Sequence, residues 1–262
     1  MKIAIHGAAG RMGQRVTAVA SQSPRFQIVA ALESANHPAL GQDAGLLAGC
    51  GELGVPLGVV GESDADVMID FSVPDAAVAV TKHCVEFKKP LVIATTGLDA
   101  SQHEFIRSAA ERIPIVWAPS MSTAVNVAMK LTQVAADALK DLPSGVDVEI
   151  IERHHRFKED FPSGTALRFG QIVAEVMGQT EHVHGREGRP GKRPQHEIGY
   201  HAVRTGDNPG EHTILFGMLG ESLEIRVAAT NRDCYAQGAL LAAEWLLGKP
   251  PGLYSMNDVL GL

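Results

Sequence analysis

A surplus of positive charge, a disulfide-forming set of cysteines and a long apolar run are all missing from this chain of 262 residues, and each absence removes a class of protein. With 23 Lys and Arg against 30 Asp and Glu the formal net charge is −7, so the chain lacks the footprint of a general nucleic-acid binder, and any anion site must be local. The three cysteines, Cys50, Cys84 and Cys234, stand in no metal-ligand spacing and imply no disulfide framework; inert thiols in a reducing compartment are expected. No run of about 18 apolar residues occurs. Met1-Lys-Ile-Ala-Ile-His-Gly7 reads as a strand from the outset, with no apolar stretch and cleavage site of a secretory signal. The expectation is a cytoplasmic protein with neither membrane nor nucleic acid as partner. What is present is ordinary globular material, 45% hydrophobic and 20% charged. At this length it suffices for one large domain or two smaller ones burying about 75% of the unfolded surface.

The densest chemistry lies in Glu152-Arg-His-His-Arg-Phe-Lys-Glu-Asp-Phe-Pro-Ser-Gly-Thr-Ala166. A strand runs in, since Val146, Val148 and Ile150 alternate with Asp147, Glu149 and Ile151, and a helix runs out from Thr165 to Met177. Such a strand-to-helix loop offers a small anion backbone N–H groups, a hydroxyl and the positive end of a helix dipole, here from Ser163, Gly164 and Thr165. An imidazole such as His154 exchanges protons near neutral pH, and Lys158 adds a cation or a second acid. Taken singly these residues have plainer readings: a His-His pair as polar surface, Ser-Gly-Thr as a helix cap. Their combination in fifteen residues is what points to chemistry. The pair His154-His155 does not suggest a metal site, because successive side chains of an extended chain face opposite ways and no third ligand stands at zinc-like spacing.

The opening of the chain carries a second pattern. Ile3-Ala-Ile5 breaks into Gly7-Ala8-Ala9-Gly10-Arg11-Met12-Gly13, helical periodicity follows through Val16, Val19 and Ala20, and a second apolar run, Phe26 to Leu32, ends at Glu33. This is the strand, glycine turn, helix and acidic residue of a dinucleotide-binding unit: glycines admit a pyrophosphate at the helix N-terminus, and the carboxylate accepts from ribose hydroxyls. Residues 36–62 show no period and read as a mobile excursion with a short helix at about 44–48. Strands at Val67–Phe71, Leu91–Ala94 and Ile115–Ala118 then alternate with helices to about Phe87 and from Asp99 to Arg112. They end at Ala94-Thr95-Thr96-Gly97 and at Ala118-Pro119-Ser120-Met121, loops that line the crevice where a nicotinamide would lie, although Thr and Ser there serve equally as caps. After a helix over 125–139 the pattern changes to strands at 146–152, 196–204, 213–216 and 223–229, expected as a largely antiparallel sheet with one helix on it. Arg204-Thr-Gly-Asp207 and Gly210-Glu211-His212 read as a turn between two of those strands, Val183–Pro194 as a long exposed loop, and Tyr235–Leu247 as an apolar helix in need of a partner surface.

The run from Glu152 to Ala166 resembles the Glu-x-His-His-x-x-Lys-x-Asp-x-Pro-Ser-Gly-Thr-Ala signature of the 4-hydroxy-tetrahydrodipicolinate reductase (dihydrodipicolinate reductase) family at every fixed position. The similarity extends from residue 3 to about 260, through the same glycine-turn variant and the Arg-x-Gly-Asp…Gly-Glu-His run. The chain departs from it at Ala94, where Gly is usual, and at Ser120-Met121, often Asn-Phe. The resemblance implies an α/β fold: a Rossmann-type nucleotide domain (1–126 with 235–262) interrupted by an α+β substrate-binding and oligomerisation domain (127–234), with the active site in the cleft. It implies NAD(P)H-dependent reduction of a small dicarboxylate in lysine and diaminopimelate biosynthesis. It makes His154 the general acid and Lys158 its assistant, puts His155 against substrate, gives Gly164 and Thr165 a carboxylate to hold, and suggests a homotetramer. A different Rossmann oxidoreductase or an inactive NAD(H) sensor would share the glycine turn and Glu33 but would not need His154 and Lys158 together. Ser34 follows Glu33 where dual-coenzyme members often have Arg, so NADH is expected to be preferred and NADPH tolerated.

Overall fold

The structure is a computed structural model describing residues 1–262. The elements in order are β1 (Lys2–His6), α1 (Arg11–Ser21), β2 (Gln27–Leu32), α2 (Ala44–Ala48), β3 (Leu57–Gly58), β4 (Val67–Asp70), α3 (Pro74–Glu86), β5 (Leu91–Ile93), α4 (Ala100–Ala110), β6 (Pro114–Trp117), α5 (Thr123–Leu139), β7 (Asp147–His154), α6 (Gly164–Met177), β8 (Glu181–His184), β9 (Glu197–Arg204), β10 (Glu211–Met218), β11 (Glu221–Ala228), α7 (Asp233–Leu246), β12 (Gly252–Tyr254) and α8 (Met256–Leu260). They form two compact units, Met1–Thr123 with Arg232–Leu262, and Ala124–Asn231.

The first unit is built on a seven-stranded sheet of order β12-β6-β5-β4-β1-β2-β3, every pairing parallel. A parallel sheet is covered on both faces, which is why β5 and the first three residues of β4 read as apolar runs and both strands are buried throughout. The strand order reverses between β1 and β4, the position at which the loops leaving neighbouring strands diverge and open a crevice. The apolar helix α7 belongs here: Ala236, Ala239, Leu240, Ala242, Ala243 and Leu246 share a core with Ile3, Val16, Ile69 and Val116. Residues 36–62 are anchored, contrary to the expected mobile excursion. The Asp43 carboxylate caps α2 through Gly45 and Leu46 N–H and also takes the Leu53 and Val55 N–H groups, while β3 extends the sheet beside β2.

The second unit has a mixed sheet, order β11-β10-β7-β9-β8. This corrects the largely antiparallel expectation: β10 runs antiparallel to β7 and β11, but β9 runs parallel to both β7 and β8. Alternation identifies a strand and its buried face but carries no direction; the link from β7 to β9 holds α6, long enough for a parallel crossover. Nor is the Arg204–His212 segment a turn between paired neighbours, because β7 lies between β9 and β10, and residues 205–210 cross over its end. On one face Val148, Ile150, Phe169, Val173, Tyr200 and Phe216 form the core with α6. The segment expected as a long exposed loop over Val183–Pro194 is exposed for most of its length, but it begins inside β8, and Arg193 fastens the rest to Asp147, Glu149 and the carbonyls of Val148 and Glu197.

Candidate active site

Strand alternation drives the polar end of β7 inward. Val148 and Ile150 enter the core, and the same phase buries Glu152 and His154, which are 1% and 8% exposed. A buried carboxylate needs donors on all sides. Glu152 has four: His154 Nδ1 at 2.6 Å, Arg204 through both terminal nitrogens at 2.7 Å each, and the Ser163 backbone N–H at 3.1 Å. Burial alone would raise its pKa, but the hydrogen bonds from His154 and Arg204 prevail and hold it down to about 2. Glu152 therefore stays anionic, and Nδ1 of His154 is the nitrogen that carries the proton toward it.

The other ring nitrogen of His154, Nε2, faces the crossing segment. A Cβ added at Gly210, whose φ is +150°, would lie 3.0 Å from it, so a side chain there would crowd that edge of the imidazole. His212 enters from β10, directly opposite Glu152 in the register, with its ring edge-on to His154 at 5.2 Å between centroids. Its Nε2 lies 2.9 Å from the Ser163 hydroxyl. Burial, then the neighbouring His154 charge, pushes the His212 pKa down to about 4, so it is neutral at physiological pH and accepts from Ser163. Ser163 thus joins three parts: its N–H donates to Glu152, its hydroxyl bonds His212 and accepts the Ala166 N–H as the cap of α6. The hydroxyl expected to meet a ligand is 2% exposed and occupied by this cap. Gly164, exposed, and Thr165, half-buried, lie in the first turn of α6, where helix geometry gives their N–H groups no intrahelical acceptor. His155 is half-buried, and Lys158 Nζ pairs with Asp160 at 2.7 Å. The sequence alone assigns no role to Glu152, Arg204 or His212; their signal is the spacing of Glu152 two residues before His154 and the Arg204…His212 run.

In the first unit Gly7 has φ +75°, and a Cβ there would meet the Phe71 carbonyl oxygen at 2.5 Å, so only glycine makes this turn. Helix α1 follows Gly10, its N-cap, with no side chain capping it and no acidic residue in its first turn. An open N-terminus beside a glycine turn suits a pyrophosphate. Glu33, half-buried, bonds the Ala9 N–H at 3.4 Å and the Ser34 N–H at 3.0 Å, which sets its carboxylate next to the glycine turn. Of the remaining expected coenzyme contacts, Arg11, Thr96 and Pro119 are exposed, while Ala9, Met12, Ala94 and Ser120 are half-buried. Ala8, Ala118 and Met121 belong to the core and offer backbone alone, and the Thr95 hydroxyl is turned into the protein, onto Asp70 at 2.6 Å.

Residues 1–121 match the model described as dihydrodipicolinate reductase, N-terminus, and residues 124–260 match dihydrodipicolinate reductase, C-terminus. The 4-hydroxy-tetrahydrodipicolinate reductase of Rhodopirellula baltica is 54% identical over 270 residues, covering 100% of this chain and 96% of that protein. The enzyme of the same name from Syntrophotalea carbinolica is 46% identical over 272 residues, covering 100% and 99%. Among solved structures, a dipicolinate-bound dihydrodipicolinate reductase from Paenisporosarcina superposes with a TM-score of 0.78 at 26% identity over 98% of both chains. A probable dehydrogenase from Thermotoga maritima, at 10% identity and a TM-score of 0.63 over 99% of this chain and 92% of its own, shares the fold alone. Matched from end to end in both units, the chain belongs to the dihydrodipicolinate reductase family.

Proposed function

We propose that the chain catalyses the NAD(P)H-dependent reduction of 4-hydroxy-tetrahydrodipicolinate, through its dehydrated cyclic form, to tetrahydrodipicolinate in lysine and diaminopimelate biosynthesis, with His154 as general acid. The observation that carries the residue assignment is the fourfold-bonded Glu152 carboxylate, which fixes His154 beside the N-terminus of α6. Bound at the glycine turn, the coenzyme supplies the hydride, and the protein positions a dicarboxylate and delivers one proton. With Nδ1 committed to Glu152, His154 transfers its proton from Nε2. Gly164 and Thr165 hold a substrate carboxylate with the N–H groups of the first turn of α6, and His155 contacts the ring. Lys158 contributes positive charge; its pair with Asp160 involves a carboxylate 61% exposed, and such surface pairs are worth roughly 0–1 kcal/mol, so it yields to an anionic substrate.

A coupled assay in which the unstable substrate is generated in situ and coenzyme oxidation followed by absorbance tests this. His154→Ala and Lys158→Ala are each expected to lower turnover by about 10²–10⁴-fold with little change in NADH affinity. Wild-type turnover in either variant would remove that residue from the mechanism.

NADH is the preferred coenzyme in this reading. The Glu33 carboxylate accepts from the ribose hydroxyls and repels a 2′-phosphate, and Ser34 brings no compensating cation; Arg11 keeps NADPH usable. The protein is a cytoplasmic homotetramer, a reading supported by its three unbridged cysteines and by the exposed apolar residues Ile151, Val203 and Leu223 on the second sheet. Sedimentation equilibrium at micromolar concentration checks the assembly.

A further inference from the structure

The C-terminal edge of the parallel sheet carries a buried polar cluster around Asp70 that the proton transfer does not use and that takes the Thr95 hydroxyl away from its expected coenzyme contact. Asp70, the last residue of β4, is 0% exposed, and its register partner His6, the last residue of β1, is 5% exposed. These two strands flank the point where the strand order reverses. One oxygen of Asp70 takes His6 Nδ1 at 2.7 Å and the Ser72 hydroxyl at 2.6 Å; the other takes the Thr95 hydroxyl at 2.6 Å. The Thr95 oxygen in turn accepts the Ser72 N–H at 3.1 Å. A single carboxylate therefore ties together the residues that end β1 and β4 and the residue two places beyond β5. Charge-assisted bonds of this kind are short and directional, and in a buried setting they tolerate little displacement.

The segments that follow are the ones that meet a coenzyme. His6 precedes Gly7, whose turn already touches the Phe71 carbonyl with no room for a Cβ, and Thr95 precedes Thr96 and Gly97. The Asp70 carboxylate thus adds side-chain ties between the strand ends that carry the glycine turn and the Thr95–Gly97 turn, on top of the backbone bonds from Phe71 N–H to the His6 carbonyl and from Ala94 N–H to the Asp70 carbonyl. We propose that Asp70, with His6 and the Thr95 hydroxyl, is a positioning unit for the reduced nicotinamide coenzyme, acting through backbone placement and not through contact; it rests on the reading that this unit binds NAD(P)H. Burial keeps the carboxylate off any ligand. A loss of the network should therefore displace both turns together and weaken coenzyme binding while leaving the substrate groups of the second unit unaffected.

The test combines fluorescence titration of the full chain with NADH, steady-state kinetics and thermal unfolding for Asp70→Asn, Thr95→Val, the double variant and Thr95→Ser. Asp70→Asn and Thr95→Val are expected each to raise the Kd and KM for NADH about tenfold. The substrate KM and the kcat at saturating NADH should change less than about twofold, and Thr95→Ser should bind NADH like the wild type. Because both substitutions cut the same network, the double variant should bind NADH no worse than the weaker single variant. An unchanged NADH Kd in folded variants, even with a lowered Tm, would overturn the proposal and leave the cluster a stability element; so would fully additive losses. Should Asp70→Asn fail to fold, the Thr95→Val and Thr95→Ser pair decides alone. A wild-type chain that binds neither NADH nor NADPH would overturn the coenzyme reading, and this inference with it, a result distinct from normal binding by wild type and variants alike.

Discussion

Lowering the pH below 6.5 should destabilise the second unit, and His212 is one reason. The imidazole is buried, and its pKa falls from 6.5 to about 4 in the folded chain. The sign follows from linkage: between those two values the unfolded chain holds a proton that the folded chain refuses, so unfolding gains about 1.4 kcal/mol for each pH unit lowered. Over the whole interval of two to three units the loss is about 3 kcal/mol, none of it felt above pH 6.5, a large fraction of the ~5–15 kcal/mol that holds a domain together. Replacing His212 by Gln keeps an amide where Nε2 meets the Ser163 hydroxyl and removes the titration. The measurement is urea unfolding of wild type and His212→Gln at half-unit steps from pH 7.5 to 4.5. The difference between their stabilities should stay flat above pH 6.5 and then shift steadily in favour of the variant. A difference that does not change with pH would refute the buried, neutral assignment of His212.

Arg204→Met should cost about 3–5 kcal/mol in the same unfolding assay, because it strips two donors from a carboxylate that is 1% exposed and leaves the charge half-satisfied. Gly170→Ala places a Cβ on the Tyr200 hydroxyl and should destabilise by about 1–3 kcal/mol, a loss that Tyr200→Phe in the same chain should relieve only in part, because the ring carbon Cζ would still lie 2.7 Å from the new Cβ. Ser34→Arg should raise kcat/KM for NADPH with little change for NADH; a wild-type preference for NADPH, or no gain on adding Arg, would contradict the role of Glu33.

Much of the architecture could be read from patterns with a strong period. The apolar runs of β1, β4 and β5 and the helices α1, α5 and α6 stand within a few residues of their expected places. Among the elements that escaped, β3 with two residues, β12 with three and β8 with four are too short to show a period and exist because a neighbouring strand offers them hydrogen bonds, and the five-residue α8 is likewise too short. The direction of β9 escaped for a different reason: alternation is the same read either way. At the site, His154, Gly164 and Thr165 stood out because their chemistry is local in sequence. Arg204 and His212 did not, because their meaning lies in register: His212 stands opposite Glu152 across one strand pair, and Arg204 opposite His154 across another. A reading from one sequence sees neither pairing.

The crossing of residues 205–210 over the end of β7 also dictates when the protein can become active during synthesis. Strand β7 leaves the ribosome early, but both of its neighbours, β9 and β10, come some fifty or more residues later, as do the Arg204 and His212 side chains that complete the Glu152 network. Until β10 emerges, Glu152 has no settled environment, and the pairing that creates one is long-range and therefore slow to nucleate. The first unit waits longer still, since α7 fills its core and β12 closes its sheet edge from the last thirty-one residues of the chain. A nascent chain released short of its end is expected to contain neither a finished nucleotide unit nor a sheltered proton donor, and so to reach proteolysis instead of partial activity.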